Sequence, residues 1–418
     1  MSLLLFPVSL SLFHLLGRRA TAFVLAVALG GALTGCVTPR TALPPLRTTD
    51  VAGANHTTQA TKNVQVFDAV WNHINRYYYD AGFNGVDWQA AATEFGPQAA
   101  AAADEWALYR VINAMLDRLN DGHTGAAPAS SSRDMRQQQV TGIGIRFMRI
   151  ADRYVVTDVL AGGAAKEAGI KPGWVLLSRD GVAIDKAKPL KRGQVATWAF
   201  EDLTGARVEL ALAAQEVSVV HREARMLPNG IGYIRFDEFD FDSVGWLRER
   251  IGDFKDAPAL IIDLRTNPGG KVVSGMYALG HFLDPSEIVM VTFNRDGKRI
   301  RHVPLGKPST AYRGKLAVLV SGASASGSEV FAAAIQEHHR GIIVGQKTAG
   351  AVLESRRFQL PDHGVLQLSD SDLVTARGAR LENAGVTPDI VIAPPTLDDL
   401  RSGRDRGLER AIESLSKS

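Results

Sequence analysis

Leu316-Ala-Val-Leu-Val-Ser-Gly-Ala-Ser-Ala-Ser-Gly-Ser-Glu-Val-Phe-Ala-Ala-Ala-Ile335 decides the architecture of this chain. The apolar run Leu316–Val320 predicts a buried strand, a small-residue turn follows, and Ser328 and Glu329 open an alanine-rich helix. Ser326 therefore stands just ahead of a helix N-terminus, where unsatisfied N–H groups and the positive dipole end favour developing negative charge. Its Gly and Ala neighbours leave room for another chain to approach. Exposure and oxyanion donors are what a nucleophilic serine needs. A turn that uses its serines as helix caps needs the same residues, and this segment alone leaves both readings open.

Upstream, Ala259-Leu-Ile-Ile-Asp-Leu-Arg-Thr-Asn-Pro-Gly-Gly270 is a second strand running into a glycine turn. Gly269 and Gly270 can present backbone N–H groups with no side chain in the way, although a tight strand-to-helix turn needs glycines equally. Beside Ser326, either would supply a second oxyanion donor, the first being the N–H of Gly327. From Val219 onward short apolar runs alternate with helical patterns. Strands are expected at Ile231–Phe236, Ala259–Leu264, Ile288–Phe293, Leu316–Val320 and Gly341–Val344, and helices near Ser243–Ile251, Val272–Phe282 and Ser328–His338. Buried runs between helices specify an α/β layered core over 218–396, with 397–418 a C-terminal helix or tail.

Two other characters precede that core. Residues 63–125 read as a helical domain, with Val66, Phe67, Val70 and Trp71 recurring at helical spacing and a second helix from Asp104 to Leu119. Over 138–215 the chain turns to short β segments: Gly142-Ile143-Gly144-Ile145-Arg146-Phe147, Tyr154–Val159, a short helix Ala164–Gly169, and Lys171–Leu177. This order resembles a PDZ domain. The resemblance implies a peptide-binding site at Gly142, Ile143, Gly144 and Ile145, where a substrate's C-terminal carboxylate meets the glycine loop and its chain adds as a strand.

The N-terminus carries Arg18 and Arg19, then the apolar stretch Ala20–Leu33, then Leu33-Thr-Gly-Cys36. The pattern resembles a bacterial lipoprotein signal over 1–36, with Cys36 the lipidated residue after cleavage and 37–62 a flexible tether. It implies a lipid-anchored protein of the bacterial cell envelope, facing the periplasm, with the outer membrane the expected site. Cys36 is the only cysteine, so its acylation leaves no thiol for disulfides, metal binding or catalysis. Removing Arg18 and Arg19 takes the formal charge from +3 to +1, which argues against nucleic acid as a partner. No His/Cys/Asp/Glu cluster has metal-ligand spacing and no Walker-type phosphate loop occurs, so neither metal nor cofactor is expected.

Together Asn267-Pro-Gly-Gly270, Ser324-Ala-Ser-Gly-Ser-Glu329, Gly345-Gln-Lys-Thr-Ala-Gly350 and Gly385-Val-Thr-Pro-Asp389 resemble the C-terminal processing (tail-specific) serine peptidases, over about Asn63 to Pro394. The resemblance implies an α/β fold with a helical N-terminal segment, a PDZ-like β domain and a crotonase- or ClpP-like core, with Ser326 as nucleophile. One departure matters. Members with a Ser–Lys dyad carry the base where this chain has Ala351; Lys347 matches a lysine of that segment that is not the base, and is a poor substitute. The tricorn-like branch uses a histidine and a glutamate, and His123 in Asn120-Asp-Gly-His-Thr124 and Glu382 match those positions. A neutral histidine is the natural base for a serine, and a nearby carboxylate fixes its tautomer. A loop-shaping histidine and an exposed loop carboxylate would read alike. His338 and His339 close a helix and are expected to be dipole partners. The expected protein is an envelope-tethered serine endopeptidase acting on protein or peptide substrates. Its rival is an inactive, PDZ-bearing binding lipoprotein on the same scaffold.

Overall fold

A computed structural model describes residues 3–5, 58–129, 139–219, 221–306 and 311–417. Cys36 and most of the expected leader and tether lie outside the described residues. Strand β1 is Leu3–Leu5. Helices α1 (Thr58–Tyr77), α2 (Trp88–Ala100) and α3 (Glu105–Leu116) follow. Thus α1 begins inside the stretch expected to be tether. Asp87 and Asp104 cap α2 and α3, accepting from Ala90 N at 2.9 Å and Ala107 N at 2.7 Å, so each helix start is fixed by a carboxylate on an orphan amide. Trp71 and Trp88 stack with centroids 6.3 Å apart inside the core of the helical segment.

After β2 (Gly125–Ala127) the chain enters the β unit. It comprises β3 (Gln139–Gly142), β4 (Ile145–Ile150), β5 (Arg153–Val159), α4 (Ala164–Glu167), β6 (Val175–Arg179), β7 (Val195–Glu201), β8 (Arg207–Ala213) and β9 (Gln215–Ser218). The sheet order is β1-β4-β5-β6-β7-β8, and β3 pairs with β9. Ile143, Phe147, Val156, Leu176, Trp198 and Phe200 fill its own core. Among the described residues its one α-helix is the four-residue α4.

The core adds β10 (Arg222–Met226), β11 (Ile231–Phe236), α5 (Phe241–Asp253), β12 (Ala259–Asp263), α6 (Val272–Leu279), β13 (Met290–Asn294), β14 (Arg299–His302), β15 (Lys315–Val320), α7 (Gly327–Glu337), β16 (Ile342–Gly345), β17 (Glu354–Gln359), β18 (Val365–Thr375), β19 (Ile390–Val391), α8 (Leu397–Ser402) and α9 (Arg406–Lys417). One sheet runs β10-β11-β12-β15-β16-β19, parallel from β11 onward. Alternation divides its side chains. Ile234, Ile262, Val318 and Ile343 face α5, α6 and α7, while Tyr233, Ile261, Leu319 and Val344 face Ala411 and Leu415 of α9. Burial on both faces explains the uninterrupted apolar runs.

One expected strand belongs elsewhere. The segment expected at Ile288–Phe293 is β13, and it joins a second, antiparallel sheet, β14-β13-β18-β17, with β2 also beside β18. The helical segment packs on that second sheet: Leu360, Leu366 and Leu368 share one core with Phe67, Trp71 and Ile112.

Candidate active site

Because β12 and β15 are parallel neighbours, the turns leaving their carboxyl ends lie side by side, the usual place for a site in an open α/β sheet. Ser326 stands at the end of the second turn with φ 52° and ψ −118°, half-buried, and α7 starts at the next residue. A side chain in such backbone costs about 1–3 kcal/mol and persists only where its surroundings over-determine it. Here they do. Ser326 N–H donates to Ala351 O at 2.7 Å and to Glu329 Oε2 at 3.1 Å. Ser324 Oγ and Ser328 Oγ each donate, at 2.8 Å, to Leu264 O and Asn267 O, lacing the serine turn to the glycine turn.

The glycine turn must be glycine. A Cβ on Gly269 would stand 2.6 Å from Ser326 Cβ, and one on Gly270 only 2.4 Å from Phe239 O, both at positive φ. Gly269 N–H is engaged by Asn267 Oδ1 at 2.8 Å. Of the expected oxyanion donors, this leaves the amides of Gly327 and Gly270, and a Cβ on Gly327 would lie 3.6 Å from Gly270 N.

His123 and Glu382 come to the same place through Ala351. A Cβ on Gly122 would meet Ala351 Cβ at 2.6 Å, so the loop carrying His123 rests directly on that alanine. Glu382 is buried. Its Oε1 accepts from Gly122 N at 3.2 Å and its Oε2 from Val352 N at 2.8 Å. Burial, with the charge of Asp121 adding to it, raises its pKa. It therefore grips the main chain on both sides of Ala351. His123 Nδ1 is buried without a hydrogen-bond partner. Burial lowers the ring's pKa below 6.5, Asp121 opposing, so the imidazole is neutral at neutral pH.

Two carboxylates of the site were not singled out from the sequence. Glu329 is fully buried and accepts from Thr348 Oγ1 (2.5 Å), Gly350 N (2.7 Å), Ala351 N (2.9 Å) and Ser326 N. The Ser326-Gly-Ser-Glu329 spacing is a capping-box pattern and was the available signal. Asp121 is the other, and its only signal was the Asn120-Asp-Gly turn. Lys347 is exposed. His338 follows α7 and contacts Ile288 O (3.1 Å) and Glu287 (3.4 Å), while His339 contacts Arg377 (3.1 Å). Neither belongs to the site.

In the β unit, Gly144 has φ 80° and packs so closely on Gly163 that a Cβ would lie 2.8 Å from its Cα. Ile143 and Ile145 point into the unit's core, Ile143 O accepts from Ala165 N at 2.9 Å, and Gly142 ends β3. Among the described residues no group of three or more His, Cys, Asp and Glu side chains could hold a metal ion.

Residues 230–392 match the model of peptidase family S41, and residues 59–117 that of the tricorn protease C1 domain. The chain is 26% identical over 368 residues to the carboxyl-terminal-processing protease of Synechocystis sp., covering 83% of this chain and 85% of that one. It is 28% identical over 360 residues to the chloroplastic carboxyl-terminal-processing peptidase 2 of Arabidopsis thaliana, covering 79% and 68%. The solved photosystem II D1 C-terminal processing protease shares the fold, with a TM-score of 0.57 at 22% identity over 81% of this chain and 96% of that one.

Proposed function

We propose, from the premise that the chain belongs to the S41 family of C-terminal processing serine peptidases, that it is an envelope-tethered endopeptidase cleaving unfolded or C-terminally tagged proteins through Ser326. The observation that carries this reading is Ser326 itself, held at φ 52° on the N-terminus of α7 with the amide of Gly327 next to it and that of Gly270 in the adjacent glycine turn. Ser326 Oγ attacks the scissile carbonyl while its proton passes to His123. The tetrahedral oxyanion takes the amides of Gly327 and Gly270. The protonated His123 then gives its proton to the leaving amine, and a water attacks the acyl ester with His123 again as base. Glu382 acts through the backbone, holding Gly122 and Val352 around Ala351.

The β unit is the substrate-holding module in this reading. The edge of β4 already takes an antiparallel strand, β1, drawn from the expected leader. With the leader removed, a substrate segment would add there by main-chain pairing. No helix among the described residues is long and apolar enough to cross a membrane, and anchoring is assigned to a lipid on Cys36.

The test uses residues 37–418 with unfolded protein as substrate, read by mass spectrometry beside Ser326→Ala. Cleavage by the parent and none by the variant supports the reading. Ala351 at the usual lysine position favours a second one, an inactive peptide-binding scaffold. Peptide binding with no cleavage by either protein would establish that instead.

A further inference from the structure

In a serine–histidine–carboxylate triad the carboxylate bonds the ring of the base. Here neither carboxylate near His123 does so: Nδ1 is buried and unpartnered, and both carboxylates bind the main chain of its loop. Glu382 takes the amide of Gly122. Asp121 does more. Its Oδ1 accepts from His123 N (2.8 Å), Thr124 N (2.6 Å) and Ser369 Oγ (3.1 Å), and its Oδ2 accepts from Tyr78 OH at 2.7 Å. Tyr78 follows α1 and in turn accepts from Asn84 Nδ2 at 3.0 Å. Ser369 lies on β18, and its main chain is tied to the same knot, Ser369 N donating to Thr124 Oγ1 at 3.1 Å and Tyr79 N to Ser369 O at 3.0 Å. Asp121, Tyr78, Thr124 and Ser369 are all buried.

We infer that Asp121 is the positioning residue of the base: its single carboxylate fixes the His123 main chain against the helical segment and the antiparallel sheet, in place of a carboxylate bonded to the ring. This rests on the reading of His123 as base. A loop of five residues between a 3₁₀ turn and β2 has no periodic hydrogen bonding of its own, so the ring can be held only by what the loop's amides find. Four donors from three elements meet one carboxylate, and a base displaced by an ångström loses on the order of 100-fold in rate. The titratable groups facing the loop are Asp121 itself, Glu382 from the segment after β18, and Tyr78 from the end of α1.

His123→Ala is assayed first with a peptide substrate. Retained activity would remove the base reading, and the inference with it. Given its loss, Asp121→Asn is expected to lower kcat on the order of 100-fold with KM within about twofold. Because Asp121 holds the ring's pKa up, the acid limb of kcat/KM should also move to lower pH, which a partly unfolded population would not do. Tyr78→Phe and Ser369→Ala, each removing one donor and leaving the Asp121 charge in place, should lower kcat in smaller measure with KM and the acid limb unmoved, and a wild-type kcat in both would overturn the assignment if Asp121→Asn does not fold. Asp121→Asn placed on His123→Ala should cost nothing further. Wild-type kcat and an unmoved limb in the folded variants, while His123→Ala is inactive, would overturn the assignment and leave the base reading standing.

Discussion

Glu329, three residues after the serine, has four donors and no contact with solvent. Burial pushes its carboxyl up to about 7, against the pull of those donors. The folded-state value lies above the unfolded one, so its contribution to stability is complete below the unfolded pKa and is lost as pH rises through about 7. Glu329→Gln removes that titration and nothing else ionisable. The stability of the parent relative to this variant should therefore fall by about 3 kcal/mol between acid and pH 8, read as paired urea unfolding curves; a constant difference would mean Glu329 does not titrate in the fold. The same substitution turns a carboxylate oxygen into an N–H donor facing N–H groups. A serine-directed fluorophosphonate probe should consequently phosphonylate Ser326, with loss of fluoride, more slowly at pH 8, and an unchanged labelling rate would free the serine turn from dependence on Glu329. His123 obeys the opposite sign. Its lowered pKa keeps it neutral below the usual 6.5, so activity should persist under pH 6.5 in a kcat/KM profile.

At the scale of elements, the β unit meets the core through charge. Arg146 of β4 and Asp237, just beyond β11, are both buried with Nη1 and Oδ2 2.7 Å apart; Arg235 reaches Asp158 of β5 at 2.8 Å, and Thr266 of the glycine-turn loop donates to Asp237 at 2.5 Å. Removing one partner of a buried pair strands the other, at about 3–5 kcal/mol. Arg146→Met should destabilise by that amount in urea unfolding, and a loss under about 1 kcal/mol would show the network to be solvated. None of this was legible in the sequence, because Arg146 sits in a strand whose alternation marks it for solvent, and its partner is 91 residues away. The parallel strands were legible because burial on both faces writes continuous apolar runs. The strands β17 and β18 were not: Glu354-Ser-Arg-Arg-Phe-Gln359 and Val365-Leu-Gln-Leu-Ser-Asp-Ser-Asp-Leu-Val-Thr375 mix polar residues into half-buried antiparallel strands. Ser326 and the glycine turn stood out because small residues around a reactive one are rare, and His123 and Glu382 only through the resemblance to the tricorn-like branch. Glu329 and Asp121 look like any helix-start or turn acid, and only burial distinguishes them.

For the whole molecule, the helical segment covers the second sheet of the core. Leu360, Leu366 and Leu368, in and between β17 and β18, are buried only where α1, α2 and α3 cover them, and β2, which leads out of the His123 loop, is hydrogen-bonded along β18. The order of the chain hides this dependence, since the β unit is inserted between the helices and the sheet they cover. Exposing three buried leucines costs roughly 5–9 kcal/mol, comparable with the entire stability of an ordinary domain. The parallel sheet makes no such demand on the N-terminus, because α5, α6 and α7 cover one face and α9 the other: Ala411 and Leu415 lie on Ile261 and Leu319, and Arg265 bridges to Asp405 at 2.7 Å. A chain of residues 139–417 should therefore keep both layers on the parallel sheet and lose the cover of the second sheet. It is expected to aggregate or to bind a hydrophobic dye without a cooperative thermal transition, whereas residues 58–417 should unfold cooperatively as a soluble protein. A soluble 139–417 with a sharp transition would show that the second sheet closes without its helices, and that the segment carrying His123 is an attachment to the core and not part of it.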